Sequence, residues 1–105
     1  MTEQNQNPPA GQGGQQQIQI KASDADLKGV YSNIMQVAHT QEEFVIDFMN
    51  VTPPVGVLAA RVIVSPGHAK RIIAALSENL KNYESQFGGV TPAPEAPQKM
   101  GFKLN

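Results

Sequence analysis

Between Ser65 and Gly89 the chain reads SPGHAKRIIAALSENLKNYESQFGG, one amphipathic helix complete with its own start and stop signals. Ser65 stands where an N-cap hydroxyl is wanted, and Pro66 follows at the first helical position, where its missing N–H removes no bond. Ala69, Ile72, Ile73, Leu76, Leu80, Tyr83 and Phe87 recur at spacings of three and four, so they form one apolar stripe. Lys70, Arg71, Ser77, Glu78, Lys81 and Glu84 fall on the other side. Gly88 and Gly89 close the helix, and Pro92 and Pro94 prevent its resumption. Alone in water such a helix is marginal, because its stability comes mostly from whatever covers the stripe. The rest of the chain has to supply that cover.

At 105 residues there is room for one domain, and both ends reduce it further. Residues 1–16, MTEQNQNPPAGQGGQQ, have almost nothing apolar to bury, which predicts a disordered tail. Residues 90–105 begin VTPAPEAPQ and predict a flexible Pro-rich tail, in which Met100, Phe102 and Leu104 alternate as an added strand would. Residues 17–89 remain as a single domain, and domains of that size bury only about 60% of their unfolded surface. Self-association is therefore the expected supplement. A formal net charge of −1 argues against a general polyelectrolyte role on nucleic acid or membrane. With no cysteine there is no disulfide and no thiolate-based metal site. No cofactor motif is present. No apolar run approaches the length of a membrane span and no secretory leader pattern opens the chain, so the expectation is a cytoplasmic protein without a membrane partner.

Taken in order, Gln17–Lys21 alternates polar and apolar residues and predicts a short edge strand. Ser23-Asp24-Ala25-Asp26 predicts a turn in which an aspartate caps a brief helical turn before Gly29. Those two aspartates lack the further ligands of a calcium loop, so metal binding is not expected there. Val30–Ala38 and Glu43–Val51 predict two long strands, joined by the polar turn at His39-Thr40-Gln41-Glu42. Pro53 and Pro54 require a second turn, since two ladder donors are lost in succession, and Val57–Val64 is the third long strand. The short connections favour antiparallel neighbours. The predicted fold is α+β: an antiparallel meander of three long strands plus the short edge strand, followed by one C-terminal helix packed on one sheet face.

With hairpins centred near Thr40–Gln41 and near Pro54, alternation assigns Val30, Ile34, Ala38, Phe44, Ile46, Phe48, Leu58, Ala60, Val62 and Val64 to the face under the helix. The other face receives Tyr31, Asn33, Met35, Val37, Val45, Asp47, Met49, Val51, Val57, Ala59, Arg61 and Ile63. Asp47 and Arg61 come out opposite one another as a cross-strand ion pair. Around them lies too much Val, Met and Ile for bare surface, and packing on a second copy would bury it symmetrically. Tyr31, Met35, Val45, Asp47, Met49, Arg61 and Ile63 are therefore the candidate oligomer face.

A second candidate is His68, Lys70 and Arg71 at the helix start, where free N–H groups and basic side chains suit an anion or a partner. Basic residues there oppose the helix dipole, a weak hint of use, and a solvated helix face is the favoured explanation. No phosphate-binding loop precedes them. His39 and His68 fall at one end of the sheet, where a metal site needs a third ligand and only Glu42 or Glu43 lies near, so none is expected. His39 beside those glutamates lies in an exposed turn without the burial that tunes a catalytic pKa. Ser32 and Ser65 have no base at a recognisable spacing. An enzyme is not expected. Asn33 and Asn79 are read as boundary residues able to hydrogen-bond backbone or a partner.

The residues Gly29-Val30-Tyr31-Ser32-Asn33, His39, Glu43-Phe44-Val45-Ile46-Asp47-Phe48, Arg61 through Arg71 (RVIVSPGHAKR), and Ala75-Leu76-Asn79-Leu80-Tyr83-Glu84 resemble a widespread family of short bacterial and archaeal proteins known only as a domain of unknown function. The resemblance spans about residues 20–87 and implies a small cytoplasmic protein without supplying a mechanism. The element order is also similar in layout to the export chaperone SecB. The leading expectation is a non-enzymatic interaction and oligomerisation module whose partner is itself, with another protein as a further partner. The alternatives are nucleic-acid binding or regulation through Lys70, Arg71, Lys81 and Lys21, and a SecB-like chaperone groove.

Overall fold

The structure, a computed structural model, describes residues 16–94. The readings of the N-terminal tail before residue 16 and of Met100, Phe102 and Leu104 lie outside the described residues. The element order is helix α1 (Asp24–Lys28), strands β1 (Ile34–His39), β2 (Phe44–Thr52) and β3 (Val55–Val64), and helix α2 (Pro66–Phe87). The strands form one antiparallel sheet in the order β1-β2-β3. No helix among the described residues is long and apolar enough to cross a membrane.

Cap chemistry sets the helix ends. In α1, Ser23 Oγ accepts the Asp26 N–H at 3.1 Å while the Asp26 carboxylate accepts the Ser23 N–H at 3.1 Å, a reciprocal box that holds a five-residue helix. In α2, Ser65 Oγ accepts the His68 N–H at 3.1 Å and Pro66 takes the first helical position. At the other end Gly88 adopts φ 97°, a conformation a side chain would strain, and its N–H reaches the Glu84 carbonyl at 2.8 Å. The helix therefore occupies the bounds its sequence signals.

The sheet departs from expectation in four places, three of them before β2 and one in β3. Gln17–Lys21 carries no strand, so the sheet has three strands rather than four; Ile18 and Ile20 are exposed, and two apolar residues do not offset the entropy of ordering an edge. β1 starts at Ile34 rather than Val30, because the side chains of Ser32 and Asn33 take the place of further ladder bonds. The faces of β1 are also exchanged. His39 pairs with Phe44 across a four-residue loop, and an even-numbered loop pairs residues of opposite parity. Thr40 fixes that length: its N–H donates to the Glu43 carbonyl at 2.9 Å, and its Oγ1 accepts the N–H groups of Glu42 and Glu43, each at 3.2 Å. Met35 and Val37 consequently share the face of Phe48 and Ile46, while Ile34 and Ala38 lie with Met49 and Val45.

Between β2 and β3 the two-residue turn at Pro53 and Pro54 again pairs opposite parities, placing Val57 opposite Asn50. A bulge then leaves Ala59 as the extra residue of β3 between Phe48/Ala60 and Met49/Leu58. The bulge reverses the faces of Leu58 and Val57 relative to simple alternation and restores the expected faces from Ala60 onward. Asp47 pairs with Arg61 and Val45 with Ile63.

The largest correction concerns α2. The expected packing of this helix across the sheet is absent: none of its residues is buried, and Ile73, Leu76, Leu80, Tyr83 and Phe87 are between 50% and 67% exposed. Only Ala69, Ile72 and Glu84 are partly covered. The apolar stripe specifies that a cover is needed and not which surface provides it. Among the described residues the buried apolar side chains are Met49, Val51 and Val64, at 7%, 8% and 9% exposure, all in β2 and β3.

Candidate functional site

Asp47 and Arg61 sit at the middle of the face that also carries Val45, Met49, Leu58 and Ile63. Arg61 Nε and Nη2 donate to the two carboxylate oxygens of Asp47 at 2.7 and 2.8 Å, a two-pronged contact that matches the planar fork of the guanidinium to the carboxylate. The Asp47 side chain is 15% exposed and that of Arg61 is 45% exposed. The hydrogen bond from Arg61 holds the Asp47 carboxyl below the usual carboxylate range, and the same bond raises the guanidinium of Arg61 above its ordinary value. The pair is therefore charged across the ordinary pH range, and it closes the polar demand of both groups within the chain. Around it Met49 is enclosed and Val45 half-buried, Leu58 and Ile63 are exposed, and Gln36 stands opposite Asp47 on β1.

The remaining members of the expected face divide. Val45, Asp47, Met49, Arg61 and Ile63 share it as expected, whereas Met35 lies on the opposite face and Tyr31 lies outside the strands. Met49 is the most enclosed of the set. Tyr31 and Met35 instead line an open recess of about 690 Å³, together with Val30, Ser32, Asn33, Ile34, Phe48 and Ala93. This lining offers hydroxyls, one side-chain amide and apolar surface, but no carboxylate, imidazole or ammonium group.

Beside the recess, residues 32 and 33 make a clamp: Asn33 bonds backbone as its sequence reading allowed, and Ser32 joins it. Asn33 Nδ2 donates to the Val51 carbonyl and Asn33 Oδ1 accepts the Val51 N–H, both at 2.9 Å, so the side-chain amide stands in for a missing residue of β1. The Asn33 N–H adds a bond to the Met49 carbonyl at 3.0 Å. Ser32 Oγ lies 3.0 Å from the carbonyls of both Ile34 and Met49 and shares its one proton between them. The available signal was the pair Ser32-Asn33 ahead of an apolar run, two side chains that compete with strand ladders.

At the start of α2, His68, Lys70 and Arg71 are exposed. One of the free N–H groups that an anion would use, that of His68, is already taken by the Ser65 cap. His39 stacks on Phe44 with ring centroids 5.2 Å apart. Phe44 pairs with Val64, one residue before the cap of α2, so both histidines lie toward one end of the sheet. Among the described residues no group of three His, Cys, Asp or Glu side chains comes together to hold a metal ion. Asn79 is satisfied locally, its Nδ2 donating to the Ala75 carbonyl at 3.0 Å.

No curated protein and no solved structure matches the chain. A family model described as "Protein of unknown function (DUF3467)" matches residues 1–91, and the chain belongs to that family.

Proposed function

We propose that this family member is a non-enzymatic self-association and protein-interaction module. One observation carries the reading: the chain taken singly encloses Met49, Val51 and Val64 and leaves the apolar side of its longest helix open. A domain of this size folds only when apolar burial offsets chain entropy, and the three side chains enclosed among the described residues fall far short of that. The missing burial comes from association. The sheet face around Asp47 and Arg61 supports the same reading, since a charge pair already satisfied within the chain can be covered without leaving either ion unpaired. The recess, lined by apolar side chains with the hydroxyls of Tyr31 and Ser32 and the amide of Asn33, supports a binding role.

Light scattering on the purified full chain, beside an Ile63→Asp variant, tests the proposal. The wild type is expected at a multiple of 11.3 kDa, and the variant, changed at a side chain that is open in the single chain, at a smaller assembly. A folded wild type of 11.3 kDa at all concentrations would refute it.

A further inference from the structure

From the pattern of α2 we infer that two copies of this chain pair through that helix, antiparallel and about a twofold axis near Glu78. The inference rests on the self-association reading and specifies one of its contacts. Ala69, Ile73, Leu76, Leu80, Tyr83 and Phe87 follow one another at alternating spacings of four and three, the a and d positions of a heptad. Five of these six side chains are open in the single chain. Helices of this kind bury such a seam against another helix with the same repeat. A second copy supplies that repeat in equal amount.

Orientation follows from size and charge. Run antiparallel with Leu76 level with the partner's Leu80, the seam sets Ile73 against the partner's Tyr83 and Ala69 against the partner's Phe87. An aromatic ring then meets the smallest side chain, and the two ends of the seam fill equally. Flanking positions complete the fit: Lys70 and Glu84 occupy equivalent e positions, and antiparallel pairing brings the Lys70 of each copy beside the partner's Glu84. Lys70, unfavourable at the positive start of its own helix, then lies against the negative end of the other. A parallel pair would instead place both basic starts together and would leave Glu84 facing the partner's Asn79. The open seam exposes on the order of 500 Å², and its flanks bring the contact toward the roughly 800 Å² per partner of a stable interface.

The absence of cysteine makes the test direct, since each single-cysteine variant carries one thiol. Full-length Ser77→Cys, Lys70→Cys and Glu84→Cys variants, checked for helix content by circular dichroism, are treated with a short bismaleimide. Antiparallel pairing sets the two copies of position 77 about 3 Å apart along the axis and the two copies of position 70 about 24 Å apart. Ser77→Cys is expected to cross-link to itself, Lys70→Cys not to, and a mixture of Lys70→Cys with Glu84→Cys to form the mixed dimer. Lys70→Glu is expected to weaken association roughly ten-fold, with recovery in the Lys70→Glu/Glu84→Lys double variant. An oligomer whose Ser77→Cys variant stays uncross-linked, or whose Lys70→Cys variant cross-links to itself, overturns the helix pairing and leaves self-association standing. A folded chain of 11.3 kDa overturns both.

Discussion

Leu80→Ala separates a free-standing chain from an associating one by the sign of its effect. Leu80 is 50% exposed in the single chain. Alanine is the better helix former by a few tenths of a kcal/mol at most, so a free-standing chain should be unchanged or slightly stabilised. If the open half of Leu80 is instead buried against a partner, its removal forfeits about 1 kcal/mol per copy, half of the roughly 1.5–3 kcal/mol for a whole leucine. Two copies in a dimer lose about 2 kcal/mol, roughly a thirty-fold rise in dissociation constant, and an unfilled cavity adds to it. Sedimentation velocity over a dilution series, with thermal melts at the same concentrations, reads both quantities. A variant that melts at or above the wild type, with identical sedimentation at every concentration, would refute the reasoning.

Other substitutions probe the chain's own architecture. Asn33→Ala strands the N–H and carbonyl of Val51 and should cost about 1–3 kcal/mol, seen as a lower urea midpoint and faster hydrogen exchange at Val51. Ser65→Ala removes the cap of α2 and should cost about 1 kcal/mol, read from the thermal midpoint. Arg61→Met should change the acid limb of stability. The Asp47 carboxyl is depressed in the folded state, so the pair stabilises above the unfolded value of 3.8 and loses that contribution as pH falls through the lowered value. The wild type should accordingly tolerate lower pH than Arg61→Met in an acid titration followed by circular dichroism.

The bounds of α2 were legible because caps are local: Ser65, Pro66 and Gly88 act within a turn of where they stand. The Asp47–Arg61 pair was legible for a subtler reason. The opposite parity set by the prolyl turn and the reversal at Ala59 cancel by the time the ladder reaches Arg61. The face of Met35 was not legible, because it depends on whether the loop after His39 has an odd or even number of residues, and Thr40 decides that through hydrogen bonds. Leu58 and Val57 were misplaced by the same bulge. Gln17–Lys21 has the alternation of a strand, but pairing depends on a partner that alternation does not report. The covering of α2 was the deepest gap, since an apolar stripe states a requirement that a second chain can meet as well as the first.

Folding of this chain is coupled to its association in the proposed assembly, and helix content measured against dilution tests that coupling most directly. Far-UV circular dichroism recorded beside sedimentation equilibrium should show helix signal falling as the mass drops from a multiple of 11.3 kDa. A chain that reaches 11.3 kDa with its helix signal undiminished would contradict it.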